Sequence, residues 1–92
     1  MTEESLVSHF DYYRLAKKYE ATGRYKEAIE AYKKAIEKKK DYAHAWYYKA
    51  LLHHRLRQYN DAKCCAENAL RLQPSWNEHV RKILADCEAH IR

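Results

Sequence analysis

The sequence predicts an all-α protein of five antiparallel helices, and three observations carry that prediction. The 92-residue chain has one glycine and one proline, where average usage gives about six and about five. It therefore lacks the turn residues that an all-β fold requires. Its apolar residues recur every three to four positions, which is the spacing of one face of a helix. One pattern of large and small residues also occurs twice, which predicts a repeated helical unit.

The repeat is evident when the chain is aligned with itself at a shift of 34 residues. Tyr25 then falls on Tyr59, and Ala28 falls on Ala62. Further aligned pairs are Tyr12 with Trp46, Tyr13 with Tyr47, Ala16 with Ala50, and Ala35 with Ala69. These matches predict a single domain with a first repeat at residues 9–42, a second at 43–76 and a last helix at 77–92, after an N-terminal extension at 1–8.

The first repeat divides into two helices at Gly23. Ser8 and Asp11 form an N-capping signal at its start. Before the glycine, one predicted packed stripe at helical spacing consists of Tyr12, Leu15, Ala16 and Tyr19. Gly23 suits the left-handed conformation that ends many helices. After it the apolar stripe resumes with Ala28, Tyr32, Ala35 and Ile36.

The second repeat has the same two apolar stripes but different residues at its turns. Its stripes are Trp46, Ala50 and His53, and then Ala62, Ala66, Ala69 and Leu70. Arg57 stands where the first repeat has Gly23, so this turn must form without glycine. Pro74 predicts a stop, and Ser75 with Glu78 predicts the N-cap of the last helix.

Charge and cysteine content narrow the functional classes. The net charge of +5 indicates a mild preference for acidic partners. The three cysteines are odd in number and include no C-x-x-C pair, so we expect no disulfide framework and a reducing, cytoplasmic location. The acidic start MTEESLV lacks the apolar stretch of a signal peptide, and no apolar run reaches the ~20 residues that span a bilayer.

No pattern in the sequence indicates catalysis, a metal site or a cofactor. There is no nucleophile paired with a base and no glycine-rich phosphate loop, so we expect no enzyme activity and no cofactor. The histidines and cysteines lack zinc-ligand spacing. His53 and Cys87 fall at a packed position of the repeat, which predicts core side chains.

The basic run from Lys33 to Lys40 has two interpretations. The one that we favour is a solvated last turn of a helix, where lysines complement the helix dipole. The alternative is a phosphate-contacting patch, which would make nucleic acid a partner and would give binding a steep salt dependence.

The 34-residue period resembles that of the tetratricopeptide repeat, and the residues that carry the resemblance are Trp46, Ala50, Tyr59, Ala62, Ala69 and Pro74. The resemblance implies a right-handed α-α superhelix in which residues 77–92 close the array. Some positions depart from the family pattern: Ala16 and Ala50 conservatively replace the usual glycine of the first helix. In addition, Lys49 replaces an expected leucine, Lys40 an expected proline, and Ala66 a common aromatic residue. The family also implies a protein–protein interaction scaffold, in which the first helix of each repeat lines a concave peptide-binding groove.

The candidate groove residues lie opposite the packed stripes of the first helices. They are Tyr13, Arg14, Lys17, His44, Tyr47, Tyr48, Leu51, His54, Arg55, Arg81 and Lys82. Aromatic rings among cations suit a short acidic peptide or helix with apolar anchors, because arginine can hold a carboxylate through two hydrogen bonds and tyrosine offers a flat surface with a polar tip. On this hypothesis Lys17→Glu or Arg55→Glu weakens partner capture and leaves the melting temperature nearly unchanged.

Other interpretations of this surface stay open. The tyrosines could pack between helices while the cations are solvated. The carboxylate clamp of chaperone adaptors in the family is matched only by Lys17 and Lys82, so we predict no such clamp. Alternatively the chain is a self-assembling structural unit that forms a homodimer through its open N-terminal edge, with Leu6, Val7 and Phe10 at the contact.

Overall fold

The computed structural model describes residues 7–91. In that range the chain forms five α-helices and no strand. The helices are α1 His9–Ala21, α2 Tyr25–Lys38, α3 Ala43–Arg55, α4 Tyr59–Leu72 and α5 Asn77–Ile91, with a 3-10 turn at Pro74–Trp76. Each helix packs on the next one along the chain, which gives an elongated stack of 46 × 27 × 19 Å. The all-α prediction is confirmed.

Helix α1 begins with the capping box that the sequence predicts. The Asp11 backbone N–H donates to the Ser8 hydroxyl at 3.2 Å, and the Ser8 backbone N–H donates to the Asp11 carboxylate at 3.0 Å. Hydrogen bonds from Ser8 hold the pKa of Asp11 below its usual value. Two of the donors that a helix start leaves unpaired are thereby satisfied, which fixes the first residue of α1.

The turns inside the two helical hairpins adopt one conformation with different residues. Gly23 has φ +78° and Arg57 has φ +62°, so both are left-handed. In each turn the next residue, Arg24 or Gln58, donates its backbone N–H to a carbonyl five positions earlier, at 2.9 Å and 2.8 Å. The sequence correctly places a glycine-free turn at Arg57, which carries the roughly 1–2 kcal/mol cost of a left-handed non-glycine residue.

The first core lies among α1, α2 and α3 and is centred on Tyr32. This ring is fully buried, and its hydroxyl donates to the Glu20 carboxylate at 2.8 Å. The buried residues of this core are Tyr12, Ala16, Ala28, Ala31, Tyr32, Ala35, Ile36, Ala45 and Leu52. The placement of Leu15 in the packed stripe is wrong, because its side chain is 41% exposed. Helix α1 is the first of the described stack and packs mainly on α2, so its outer side stays open.

The second core lies among α3, α4 and α5 and is built of smaller side chains. Its buried residues are Ala50, Ala62, Cys65, Ala66, Val80, Ile83 and Cys87. His53 is also buried, and its Nδ1 lies 2.7 Å from the Gln58 side-chain oxygen. Both His53 and Cys87 are therefore packed side chains, as predicted.

The junctions between repeats show how the chain replaces the missing proline. The Trp46 indole N–H donates to the Lys40 carbonyl at 2.9 Å, which ties the first junction to α3. At the second junction Ser75 lies in the middle of the 3-10 turn, and α5 begins only at Asn77. The N-cap predicted on Ser75 is therefore wrong, because Pro74 opens a separate turn before the helix.

Candidate peptide-binding groove

An aromatic cluster surrounds the first half of α3, and we call it the aromatic end. It comprises Tyr13, Lys17, Tyr42, His44, Tyr47, Tyr48 and Trp76. Tyr13 of α1 lies 6.0 Å from Tyr48 of α3 between ring centroids. Beneath both rings, buried Tyr32 stacks on Tyr48 at 6.2 Å. Tyr13, Tyr42 and Tyr48 therefore rest on the first core, whereas Tyr47 and Trp76 pack against the second.

Lys17 brings a positive charge into the aromatic end. Its ammonium nitrogen lies 3.0 Å from the centroid of the Tyr48 ring and 5.7 Å from that of Tyr13. Ring faces attract a cation through their quadrupole without neutralising its charge as a carboxylate would. The position of the ammonium is thus set by the rings, and its charge stays available to an anion.

Three tyrosines of the aromatic end, Tyr13, Tyr42 and Tyr47, have a raised pKa. Burial, together with the neighbouring Tyr48 and Tyr42, raises the pKa of Tyr13 to about 12. Burial also raises the pKa of Tyr42 and of Tyr47. A phenolic O–H that stays protonated can donate to a carboxylate, so these residues add donors beside the Lys17 charge.

A hollow of about 300 Å³ opens between α3 and the 3-10 turn, and we call it the aromatic slot. Its lining residues are His44, Tyr47, Tyr48, Trp76 and His79. The Trp76 ring meets His44 edge-on with centroids 4.9 Å apart, and it meets Tyr47 at 5.6 Å. Every lining side chain is a ring, which gives the slot flat apolar walls with polar tips.

The second half of α3 has a different character, and we call it the polar end. It comprises His54, Arg55, Tyr59, Asp86 and His90. The Asp86 carboxylate of α5 bonds to His54 Nε2 of α3. Tyr59 of α4 stacks on His90 at 4.3 Å between centroids. The hydrogen bond with His54 lowers the pKa of Asp86 below its usual value. Together the two contacts join α3, α4 and α5.

Arg55 of the polar end also contacts a neighbouring helix. The guanidinium carbon lies 4.9 Å from the centroid of the Tyr25 ring at the start of α2. Leu51 is half-buried and lines a hollow of about 500 Å³ together with His54 and Arg55. The predicted cations of this half of α3 therefore have contacts within the chain that link neighbouring helices.

Three predicted site residues lie away from both ends. Arg14 is exposed beside Phe10, with 5.9 Å between its guanidinium carbon and the ring centroid. Arg81 bonds through Nε to the Asn77 side-chain oxygen, one turn earlier on α5. Lys82 is exposed on the same helix. The structure therefore brings together Tyr13, Lys17, His44, Tyr47 and Tyr48, and it does not bring Arg14 into the aromatic slot.

Three residues of the aromatic end and the aromatic slot are absent from the set predicted from the sequence: Tyr42, Trp76 and His79. A signal for two of them was present, because the 34-residue shift places Tyr42 on Trp76, an aromatic at the end of each repeat. The contact of Trp76 with α3 depends on the 3-10 turn that precedes α5. His79 has no such signal, because the 34-residue shift places it on Ala45, which is not aromatic.

Within residues 7–91, no three histidine, cysteine or acidic side chains converge as metal ligands would. Cys64 is an exposed free thiol, whereas Cys65 and Cys87 are buried. Burial raises the pKa of both buried thiols, which disfavours the reactive thiolate. None of the helices in the same range combines the length and the apolar character that crossing a bilayer requires.

Comparison with known proteins identifies the repeats. Residues 16–56 match a family model described as "TPR repeat", and residues 43–75 match one described as "Tetratricopeptide repeat". Two solved structures are similar in fold, "Crystal structure of MamA protein" and "Crystal structure of MamA", each at 18% identity. The first has a TM-score of 0.76 and is matched over 91% of this chain and 51% of its own. The second has a TM-score of 0.72 and is matched over 90% of this chain and 58% of its own.

The chain thus spans about half the length of the solved structures that it matches. At this identity the similarity concerns the fold, and it confirms the predicted right-handed α-α solenoid of antiparallel helices. No curated protein sequence matches the chain.

Proposed function

The chain is a tetratricopeptide-repeat protein, and because such repeats generally act as non-catalytic protein-interaction scaffolds, we propose that its groove holds a short acidic peptide at the aromatic end. The observation that carries the proposal is the Lys17 ammonium, held 3.0 Å from the centre of the Tyr48 ring, a ring that also lines the open slot. A peptide carboxylate can approach this cation while an apolar side chain of the peptide contacts the rings.

Three properties of the aromatic end favour a peptide of this chemistry. Its rings are anchored by buried Tyr32 and need little reorganisation to form a binding surface, which reduces the entropic cost of binding. The tyrosine hydroxyls add donors for backbone carbonyls or carboxylates. The net charge of +5 favours encounter with acidic chains.

A random-peptide library tests the proposal by letting the groove select its own ligands. Peptides displayed on phage are selected on the immobilised protein, and we expect the selected sequences to be acidic and to carry an apolar residue. Lys17→Glu should weaken their binding by about tenfold or more, since it replaces attraction by repulsion. Lys33→Glu, an exposed position on α2, is the matched control and should leave affinity within about twofold.

Two outcomes would contradict the proposal. One is the selection of neutral or basic peptides only. The other is equal binding of acidic peptides by wild-type protein and Lys17→Glu when both have the same melting temperature. Salt provides a further check, because attraction between exposed charges weakens as ionic strength rises.

A second candidate function is self-association through the outer side of α1. Leu15 and Phe10 are 41% and 50% exposed. A hollow of about 310 Å³ lies on this side, lined by Tyr12, Leu15, Tyr19 and Ala31 among others. Of the residues named for this edge, Leu6 lies outside the described range, and Val7 is partly buried against the first core. Sedimentation at several concentrations tests this function: a dimer that Leu15→Glu dissociates supports it, and a monomer throughout contradicts it.

We further propose a cytoplasmic location. The three cysteines are free thiols, which suits a reducing compartment. Imaging of a tagged chain in its native cell would test this, and a signal outside the cytoplasm would contradict it.

A further inference from the structure

The aromatic slot has walls of an unusual composition, since all five lining residues carry a ring: His44, Tyr47, Tyr48, Trp76 and His79. Trp76 reaches the slot from the 3-10 turn, where its backbone N–H donates to the Gln73 carbonyl at 3.1 Å. Pro74 begins the same turn and has a fixed φ. The ring of Trp76 is therefore presented to α3 by a stiff segment.

The rings that form the walls already meet edge to face. The angle between ring planes is 78° for His44 and Trp76, 69° for Tyr47 and Tyr48, and 56° for Tyr47 and Trp76. Aromatic pairs prefer such tilted arrangements with centroids 4.5–7 Å apart. An incoming aromatic ring can extend this arrangement, whereas a branched aliphatic side chain leaves space along flat walls.

The positive charge of Lys17 determines whether the slot favours a neutral aromatic ring or a cation as the ligand group. A cluster of aromatic rings often recognises a cation such as a methylated ammonium group. Here the Lys17 ammonium already lies 3.0 Å from the centre of Tyr48, one of the walls. A second cation in the slot would be repelled by Lys17, whereas an acidic residue next to a neutral ring would be attracted.

We propose that the aromatic slot receives one aromatic side chain of the bound peptide, and that an acidic residue adjacent to it in the peptide meets Lys17. This inference rests on the proposed function and specifies its ligand as an aromatic residue flanked by carboxylates. The slot selects for the ring, and the lysine selects for the flanking charge.

Three short capped peptides test the inference on the wild-type protein: acetyl-Glu-Phe-Glu-amide, acetyl-Glu-Leu-Glu-amide and acetyl-Lys-Phe-Lys-amide. NMR follows the two indole N–H signals, because the chain has two tryptophans. The Trp76 signal lies at the slot, and the Trp46 indole, which donates to the Lys40 carbonyl, serves as the internal reference. We expect the Glu-Phe-Glu peptide to shift the Trp76 signal and to bind about three- to tenfold more tightly than Glu-Leu-Glu, the range that an aromatic pair contributes.

The Lys-Phe-Lys peptide should bind most weakly of the three. Equal affinity for the phenylalanine and leucine peptides, or saturable binding that leaves the Trp76 signal unmoved, would overturn the inference. Tighter binding of a peptide with trimethyllysine in place of phenylalanine would overturn it as well. None of these measurements needs a variant, so a folding defect cannot obscure them.

The failure of this inference is distinguishable from failure of the proposed function. If library-selected acidic peptides bind in a Lys17-dependent manner, while Trp76→Leu and a phenylalanine-to-leucine change in the peptide have no effect, only the slot assignment is overturned. If no acidic peptide binds, both are overturned. Trp76→Phe is the conservative variant and should keep affinity within about threefold, since it retains a ring.

Discussion

The two halves of helix α3 carry residues from one predicted surface, yet they differ in how they use their charges. At the aromatic end Lys17 lies on the Tyr48 ring, which also lines the aromatic slot. At the polar end the Asp86 carboxylate bonds to His54, and Arg55 lies over Tyr25. On the proposed function the first half is the surface that an acidic partner contacts, whereas contacts of the second half join α2, α3, α4 and α5 to one another.

This difference shows that position on the inner face of a helix does not by itself define a binding residue. The neighbouring groups of the same chain matter as well: a carboxylate such as Asp86 at His54 offsets positive charge, whereas a ring such as Tyr48 at Lys17 does not.

Tyr32→Ala should have the largest effect, because it removes the buried ring beneath the aromatic end. Replacing a large buried aromatic residue by alanine costs about 3–5 kcal/mol of unfolding free energy. Tyr32→Phe is the matched control and should cost only about 1 kcal/mol, since it loses the hydrogen bond to Glu20 and keeps the ring. Urea denaturation measures both, and a loss below about 1 kcal/mol for Tyr32→Ala would show that the ring does not support the first core.

Alkaline pH should weaken the aromatic end and the core residue beneath it, because Tyr32 as well as Tyr13 has a raised pKa. The folded state holds the Tyr13 proton up to a pKa of about 12, whereas an unfolded tyrosine ionises near 10. A raised folded pKa means that the stabilisation is complete below pH 10 and is lost as pH rises toward 12. Denaturation midpoints measured from pH 9 to 12 should fall, and Tyr13→Phe should flatten the fall. An unchanged slope in that variant would contradict the assignment to Tyr13.

Exchanging the turn residues compares the two hairpins. Arg57→Gly should stabilise the fold by roughly 1–2 kcal/mol, because it relieves a left-handed residue. Gly23→Ala should destabilise the fold by a similar amount. The cause is the strain of the left-handed φ, because no atom beyond the adjacent residues lies within 4 Å of the added Cβ. Arg57 also lines the hollow at the polar end, so peptide affinity should stay unchanged in Arg57→Gly. A loss of affinity would instead place the partner at the polar end.

The Asp86 contact should produce the smallest effect, a difference in acid sensitivity. The pKa of Asp86 is lowered in the folded state, so its stabilisation is present above the unfolded value and is lost as pH falls through the folded one. Asp86→Asn should therefore narrow the difference between denaturation midpoints at pH 5 and pH 2.5. Asp11→Asn is the control variant. It removes another carboxylate with a lowered pKa, which lies at the capping box of α1 and away from α5. No narrowing in Asp86→Asn would mean that the contact with His54 does not stabilise the fold.

The helices and their register could be predicted from the sequence because apolar spacing is a local property. The 34-residue shift also aligned Gly23 with Arg57, and both are left-handed in the structure. The exposure of Leu15 could not be predicted, because it depends on the position of α1 at the edge of the stack.

The division of the groove depends on contacts between helices that are distant along the chain. His54 and Asp86 are separated by 32 positions, and helical spacing cannot show which cation a carboxylate of another helix will reach. Trp76 joins the aromatic end through a 3-10 turn where the sequence predicts a simple cap. Local patterns therefore indicate the faces of the helices, and only the packed structure separates the two ends.

The central claim is that the partner binds at the aromatic end, and a matched pair of charge deletions tests it most directly. Lys17→Met and Arg55→Met each remove one positive charge and keep an unbranched side chain. Fluorescence polarisation with a library-selected acidic peptide should show at least about tenfold weaker binding for Lys17→Met and a change within about twofold for Arg55→Met. Equal losses, or a larger loss for Arg55→Met at unchanged melting temperature, would contradict the account.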